Sequence, residues 1–173
     1  MTAREDEEYR ALRATIRQRG TARICIFAAG VAAWAGLAVG TAALSSAPVA
    51  TLLPLLVLAA AFEAVFSLHV GVERIGRYLQ VFHETGAPGW EHAAMTFGRP
   101  AGAAAPDPLF VVPFLIATIF NAAPVAIVQP APVELVFVGG AHALFLLRIA
   151  VARATASRQR AIDLARFQQI RNG

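Results

Sequence analysis

The chain has 173 residues, 57% of them hydrophobic and 15% charged, with a mean hydropathy of +0.58. Soluble domains run nearer ~45–50% apolar, so the composition excludes an ordinary water-soluble domain. Four long apolar windows account for the excess and specify one membrane domain over residues 1–173. The net charge of +4 is 15 arginines, with no lysine, against 11 acidic residues. These arginines gather beside the apolar windows, as cytoplasmic segments of membrane proteins require, so nucleic acid is not the expected partner. Cys25 is the only cysteine, which excludes an internal disulfide and any Cys-based metal spacing.

Thr2–Arg19 reads as a charged helix with a thin apolar edge of Tyr9, Leu12 and Ile16. Asp6 and Arg10 stand at i,i+4, and the acidic run Glu5–Glu8 suits the positive end of a helix dipole. The first span follows at 24–44. Its apolar run exceeds the ~7–15 residues of a signal peptide and its leader is acidic, so it is expected to be retained. Gly36 and Gly40 form a GxxxG ridge expected to pack on a neighbouring helix of the same chain.

The uncharged turn Ser45–Ala50 returns the chain into a second span, 52–71, which continues as a helix into the aqueous phase as far as Glu84. Leu68, Val72, Ile75, Leu79 and Phe82 form its apolar stripe. Glu73, Arg74, Arg77, Gln80 and Glu84 take the other side, with Glu73 and Arg77 as an i,i+4 pair. Residues 72–108 form the expected cytoplasmic loop. Within it, Trp90–Gly98 reads as a short helix in the headgroup layer, so Trp90, Phe97, Glu73 and Arg77 are the expected interfacial residues.

The third span, 109–128, carries Pro113, Asn121 and Pro124; a turn at Gln129–Pro132 leads to the fourth, 133–152. The fourth holds Gly139 and Gly140, which permit close packing, together with His142 and Arg148. The basic tail is a helix whose Leu164, Phe167 and Ile170 are expected on the membrane surface or against the N-terminal helix. Six arginines precede the first span, three separate the second from the third, and five follow the fourth, while neither short turn has any. The expectation is an all-α integral membrane protein. Its four spans form two antiparallel hairpins, with the second span extended into the cytoplasm and amphipathic cytoplasmic helices at both ends. A bacterial cytoplasmic membrane suits this, with both termini inside.

No nucleotide loop, nucleophile elbow or metal-protease motif occurs, so an enzyme is not expected. Chemistry falls instead to polar groups at membrane depth: Glu63, His69, Asn121, His142 and Arg148. Counted from the outer ends of their spans, Glu63 lies ~17 Å deep and His142 ~14 Å. One layer of Glu63, Asn121 and His142 is thus expected, with Arg148 or His69 below it. Three functions suit such a layer. The preferred one is structural: the layer holds the helices together in an accessory or scaffold subunit, with the bilayer and other membrane subunits, or further copies, as partners. The alternative is a proton- or ion-coupled transporter using Glu63. The third is a redox protein with haem between His69 and His142; the structural reading requires no cofactor.

Overall fold

The computed structural model of the protein describes residues 2–84, 89–97, 108–128 and 130–173. Gly86, Pro88, the 98–107 part of the expected loop and Gln129 lie outside them, as do the side chains of Met95, Phe97, Ser157 and 108–110. The described residues form helices without a strand: α1 (Ala3–Leu44), α2 (Leu52–Phe82), α3 (Trp90–Phe97), α4 (Pro108–Ile127) and α5 (Pro132–Asn172), with a 3-10 turn at Pro48–Thr51.

Local chemistry explains most boundaries. Thr2 and Glu5 form a capping box at the start of α1. The Glu5 N–H donates to Thr2 Oγ1 at 3.3 Å and the Thr2 N–H to Glu5 Oε2 at 2.6 Å. With no proline until Pro48, nothing separates the charged segment from the apolar one, and α1 runs unbroken for 42 residues. Pro132 opens α5 from the first-turn position that proline favours, and Glu134 reaches back to accept from the Ala131 N–H at 3.0 Å. That helix also continues without a break, for 41 residues. The expected tail helix is thus the end of α5. Glu84 ends the α2 segment by capping α3, accepting from the Glu91 and His92 N–H groups at 2.8 and 2.9 Å. A Cβ at Gly89 would stand 2.5 Å from that carboxyl, so a side chain there requires Glu84 to shift within the cap.

Among the described residues, three helical stretches are long and apolar enough to cross a membrane: α1, Pro48–Phe82 and α5. The apolar α4 has 20 residues, or about 30 Å of rise, and runs through Pro113 and Pro124. The protein is therefore all-helical and suited to a membrane.

The chain divides into two compact units. The apolar unit comprises Ile24–Val65 and Asp107–Arg153. Its core is a run of edge-to-face rings, in which Phe62 of α2 meets Phe114 of α4 at 5.2 Å and Phe145 of α5 at 5.8 Å. Phe27 of α1 joins Phe114 at 5.7 Å, so one aromatic chain ties all four helices. The close small-residue contact is Gly30 against the Ala61 methyl, where a Cβ would collide. Gly36, Gly40, Gly139 and Gly140 instead meet open space among the described residues.

The polar unit comprises Met1–Arg23, Phe66–Pro106 and Ala154–Gly173. Leu79 is fully buried in it, and Phe167 packs edge-on against Tyr78 and Phe82 of α2. The tail thus docks on α2, while Ile170 stays exposed. Tyr78 also donates to Glu8 at 2.7 Å, and the Tyr9 ring meets His83 at a tilt, with centroids 5.6 Å apart. Leu79→Asp puts a charge in this core, whereas Gln80 is only half-buried. The former is expected to lower the melting temperature by clearly more than Gln80→Asp, because a carboxylate there has no water. Thermal unfolding followed by circular dichroism in detergent checks this; equal tolerance would mean that the stripe is not packed.

Candidate functional site

In the apolar unit one asparagine joins four elements. The indole N–H of Trp34 on α1 donates to Asn121 Oδ1 at 3.1 Å. The two amide hydrogens of Asn121, on α4, go to the Thr51 carbonyl at 2.9 Å and to His142 Nε2 at 3.0 Å. His142, on α5, then donates from Nδ1 to the Val138 carbonyl at 2.8 Å. Only one proton arrangement satisfies all four bonds. An amide nitrogen can only donate, so His142 Nε2 must accept and the ring is the neutral Nδ1–H tautomer. Asn121 and His142 are buried, so a closed network is what keeps such polar groups affordable in an apolar setting. A small cavity beside Asn121 is lined by Thr41, Ser45, Thr51 and Pro124.

Glu63 does not join this layer. Its carboxylate pairs with Arg148 at 2.7 Å, and both side chains are substantially exposed, 48% and 40%. The guanidinium also lies 5.9 Å from the centre of the Phe62 ring. The reason is azimuth. Leu58, Phe62 and Val65 form the buried stripe of α2, and a residue one step on from Phe62 is turned ~100° away. On α5, Val138, His142, Phe145 and Ile149 are the buried stripe, which turns Arg148 outward in the same way. Arg148 lies further along α5 than His142. Helical side chains lean toward their N-terminus, which carries its guanidinium back to Glu63 instead of onward along α5.

His69 belongs to the polar unit and has its own partners. Arg23 donates to its Nδ1 at 2.9 Å, leaving Nε2 to face Glu73 at 3.5 Å. From Glu73 an ion network extends into the end of α5. Arg160 pairs with Glu73 at 2.5 Å, Arg77 lies 3.8 Å from Glu73 and 3.5 Å from Asp163, and Arg74 reaches Asp163 at 3.2 Å. Gln159 adds a 2.7 Å hydrogen bond to Asp163. Arg77 and Asp163 are almost fully buried. This side of α2 thus packs on the end of α5, with Arg77 buried and Glu73 half-buried in the ion network. Of the other interfacial residues, Trp90 is 69% exposed, and the Phe97 side chain lies outside the described set. Glu91 and His92 are held within the polar unit, by Arg13 and Gln80 respectively.

Burial pulls the Arg77 pKa down, against the pull of Glu73 and Asp163. Burial pushes Asp163 up, but the Gln159 hydrogen bond and the Arg74 and Arg77 charges outweigh it and hold the carboxyl below the usual range. Glu91 moves the other way: burial raises it, Glu84 adds to the rise, and Arg13 opposes both.

Sequence reasoning brought Asn121 and His142 together but missed Trp34 and Thr51. It placed Arg148 below the layer that held Glu63, whereas the two are paired. It also missed Asp163 as the partner of Arg74 and Arg77, although a lone acid in a basic tail was a usable signal. No protein-family model matches this chain, and no curated protein or solved structure does so either.

Proposed function

We propose that the protein is a four-span structural subunit of a bacterial cytoplasmic-membrane assembly, with α1, α2, α4 and α5 crossing as two antiparallel hairpins. The observation that carries this reading is the Asn121 network. Its three bonds to Asn121 each hold one element against another, which is glue in a membrane protein and not a path for a substrate. Glu63 is committed in the same way, to Arg148. Both ring nitrogens of His142 and of His69 are likewise engaged, so a haem would have to break existing contacts at each histidine.

The arginine-rich termini and central loop lie inside in this reading. In a Cys25→Ala background, cysteines placed at Ser46 and Ala131 are expected to react with an impermeant thiol reagent on intact cells. One placed at Gln169 is expected to react only after permeabilisation. The reverse pattern would invert the topology, and labelling of Ser46 without Ala131 would remove the second hairpin. For function, a chain purified in mild detergent is expected to migrate in an assembly of defined composition. Reconstituted alone, it is expected to carry no proton or cation flux. A flux that Glu63→Gln abolishes would replace this reading with transport.

A further inference from the structure

The Glu63–Arg148 pair sits where an isolated chain would least tolerate it. On α2, Leu53, Leu56, Ala60 and Glu63 follow one another at steps of three and four residues, and all are exposed. On α5, Gly140, Leu144 and Leu147 make a matching exposed stripe that runs into Arg148. The ion pair joins the two stripes into one outward face of the apolar unit. Hydrocarbon cannot solvate charges that are 48% and 40% exposed, and Arg148 is turned toward Glu63 instead of toward the end of its span. Something other than lipid tails covers this face.

The face itself says what fits. A two-fold axis along the membrane normal exchanges left and right across an interface while keeping depth. It therefore sets the acid of each copy opposite the base of the other, turning one exposed pair into a closed ring of two acids and two arginines. No foreign protein is needed to supply complementary charge. Ala60 and Gly140 also let helices approach, and among the described residues nothing lies within 4 Å of where a Gly140 Cβ would stand. We propose that a second copy of the chain docks on this α2–α5 face, with Glu63 of each copy against Arg148 of the other. This rests on the spanning arrangement proposed above, not on an accessory role.

The test keeps the chain in its native membrane in a Cys25→Ala background. Cysteines placed singly at Leu56, Ala60, Gly140 and Leu144 are treated with a short bifunctional thiol reagent. Controls carry the cysteine at Val39 on α1 or Ile119 on α4, both exposed elsewhere on the unit. An adduct of twice the chain mass is expected from at least one of the four and from neither control. No adduct at any of the four, or adducts of another mass only, would overturn the proposal. In the cross-linking background, Glu63→Arg alone and Arg148→Glu alone are each expected to lose the adduct, because each places four like charges together. Co-expression of the two is expected to restore it, since one copy then carries both positive charges and the other both negative. Single variants that still cross-link, or co-expression without recovery, would count against the charge ring. If those variants do not accumulate, cross-linking of the parent charges decides alone. A monomer that retains the Ser46 and Ala131 labelling loses this inference but keeps the four-span subunit. A cross-linked dimer with Glu63-dependent flux does the opposite.

Discussion

Asp163→Ala is expected to destabilise the polar unit by about 3–5 kcal/mol, the range for removing one partner of a buried ion pair. Asp163 is 5% exposed and Arg77 3%. Truncation would therefore leave the Arg77 guanidinium buried with Glu73 as its remaining acidic contact, at 3.8 Å. Arg74 is half-exposed and can turn to water, so its lost contact with Asp163 adds little. Chemical denaturation in detergent measures the loss, and a change below about 1 kcal/mol would place the network among ordinary surface pairs.

The same residue sets a pH dependence. Its native pKa is depressed, so below the unfolded carboxylate value of about 3.9 the unfolded chain binds the proton more readily. Its contribution is complete above that value and lost as pH falls through the depressed native one. Glu91 works with the opposite sign. Its native pKa is raised, so its contribution is fully present below the unfolded value and lost as pH rises through the native one. Unfolding free energies from pH 2 to 6 should therefore lose their acid-side slope in Asp163→Ala and keep it in Glu91→Gln.

Asn121→Leu is the second large effect, expected to cost the apolar unit about 2–5 kcal/mol. The substitution strands the Thr51 carbonyl and His142 Nε2 in a buried site and the Trp34 indole N–H in a half-buried one. Buried groups left unpaired cost about 1–3 kcal/mol each, while contacts between membrane helices average nearer 0.6. Trp34→Phe strands only the Asn121 carbonyl oxygen and is expected to cost about 1 kcal/mol. Equal losses for the two variants in denaturant-induced unfolding would mean that the Thr51 and His142 contacts contribute nothing.

The helices themselves were legible residue by residue. Pro48 and Pro132 mark where the chain turns, the run from Leu52 to Phe82 lacks an interior breaker after Pro54, and Leu79 of the expected apolar stripe is buried while the rest of that stripe is half-buried. Continuity was harder to read. The charged ends of α1 and α5 look like separate helices by composition, yet the backbone needs only the absence of a breaker to run on. One register was legible too: counting at 1.5 Å per residue along α4 and α5 brought Asn121 and His142 level, and the two are hydrogen-bonded.

Rotation about the axis was not legible. Whether Glu63 turns toward His142 or away from it depends on which neighbours claim the α2 face, and Phe62 wins that face through Phe114 and Phe145. The same holds for Asp163, whose arginine partners lie 86 and 89 residues away along the chain. Periodicity in one segment determines that a face exists, how long it is and where along the helix each residue lies. Which other segment covers that face is decided only when the helices pack, because one packed surface must satisfy every stripe at once.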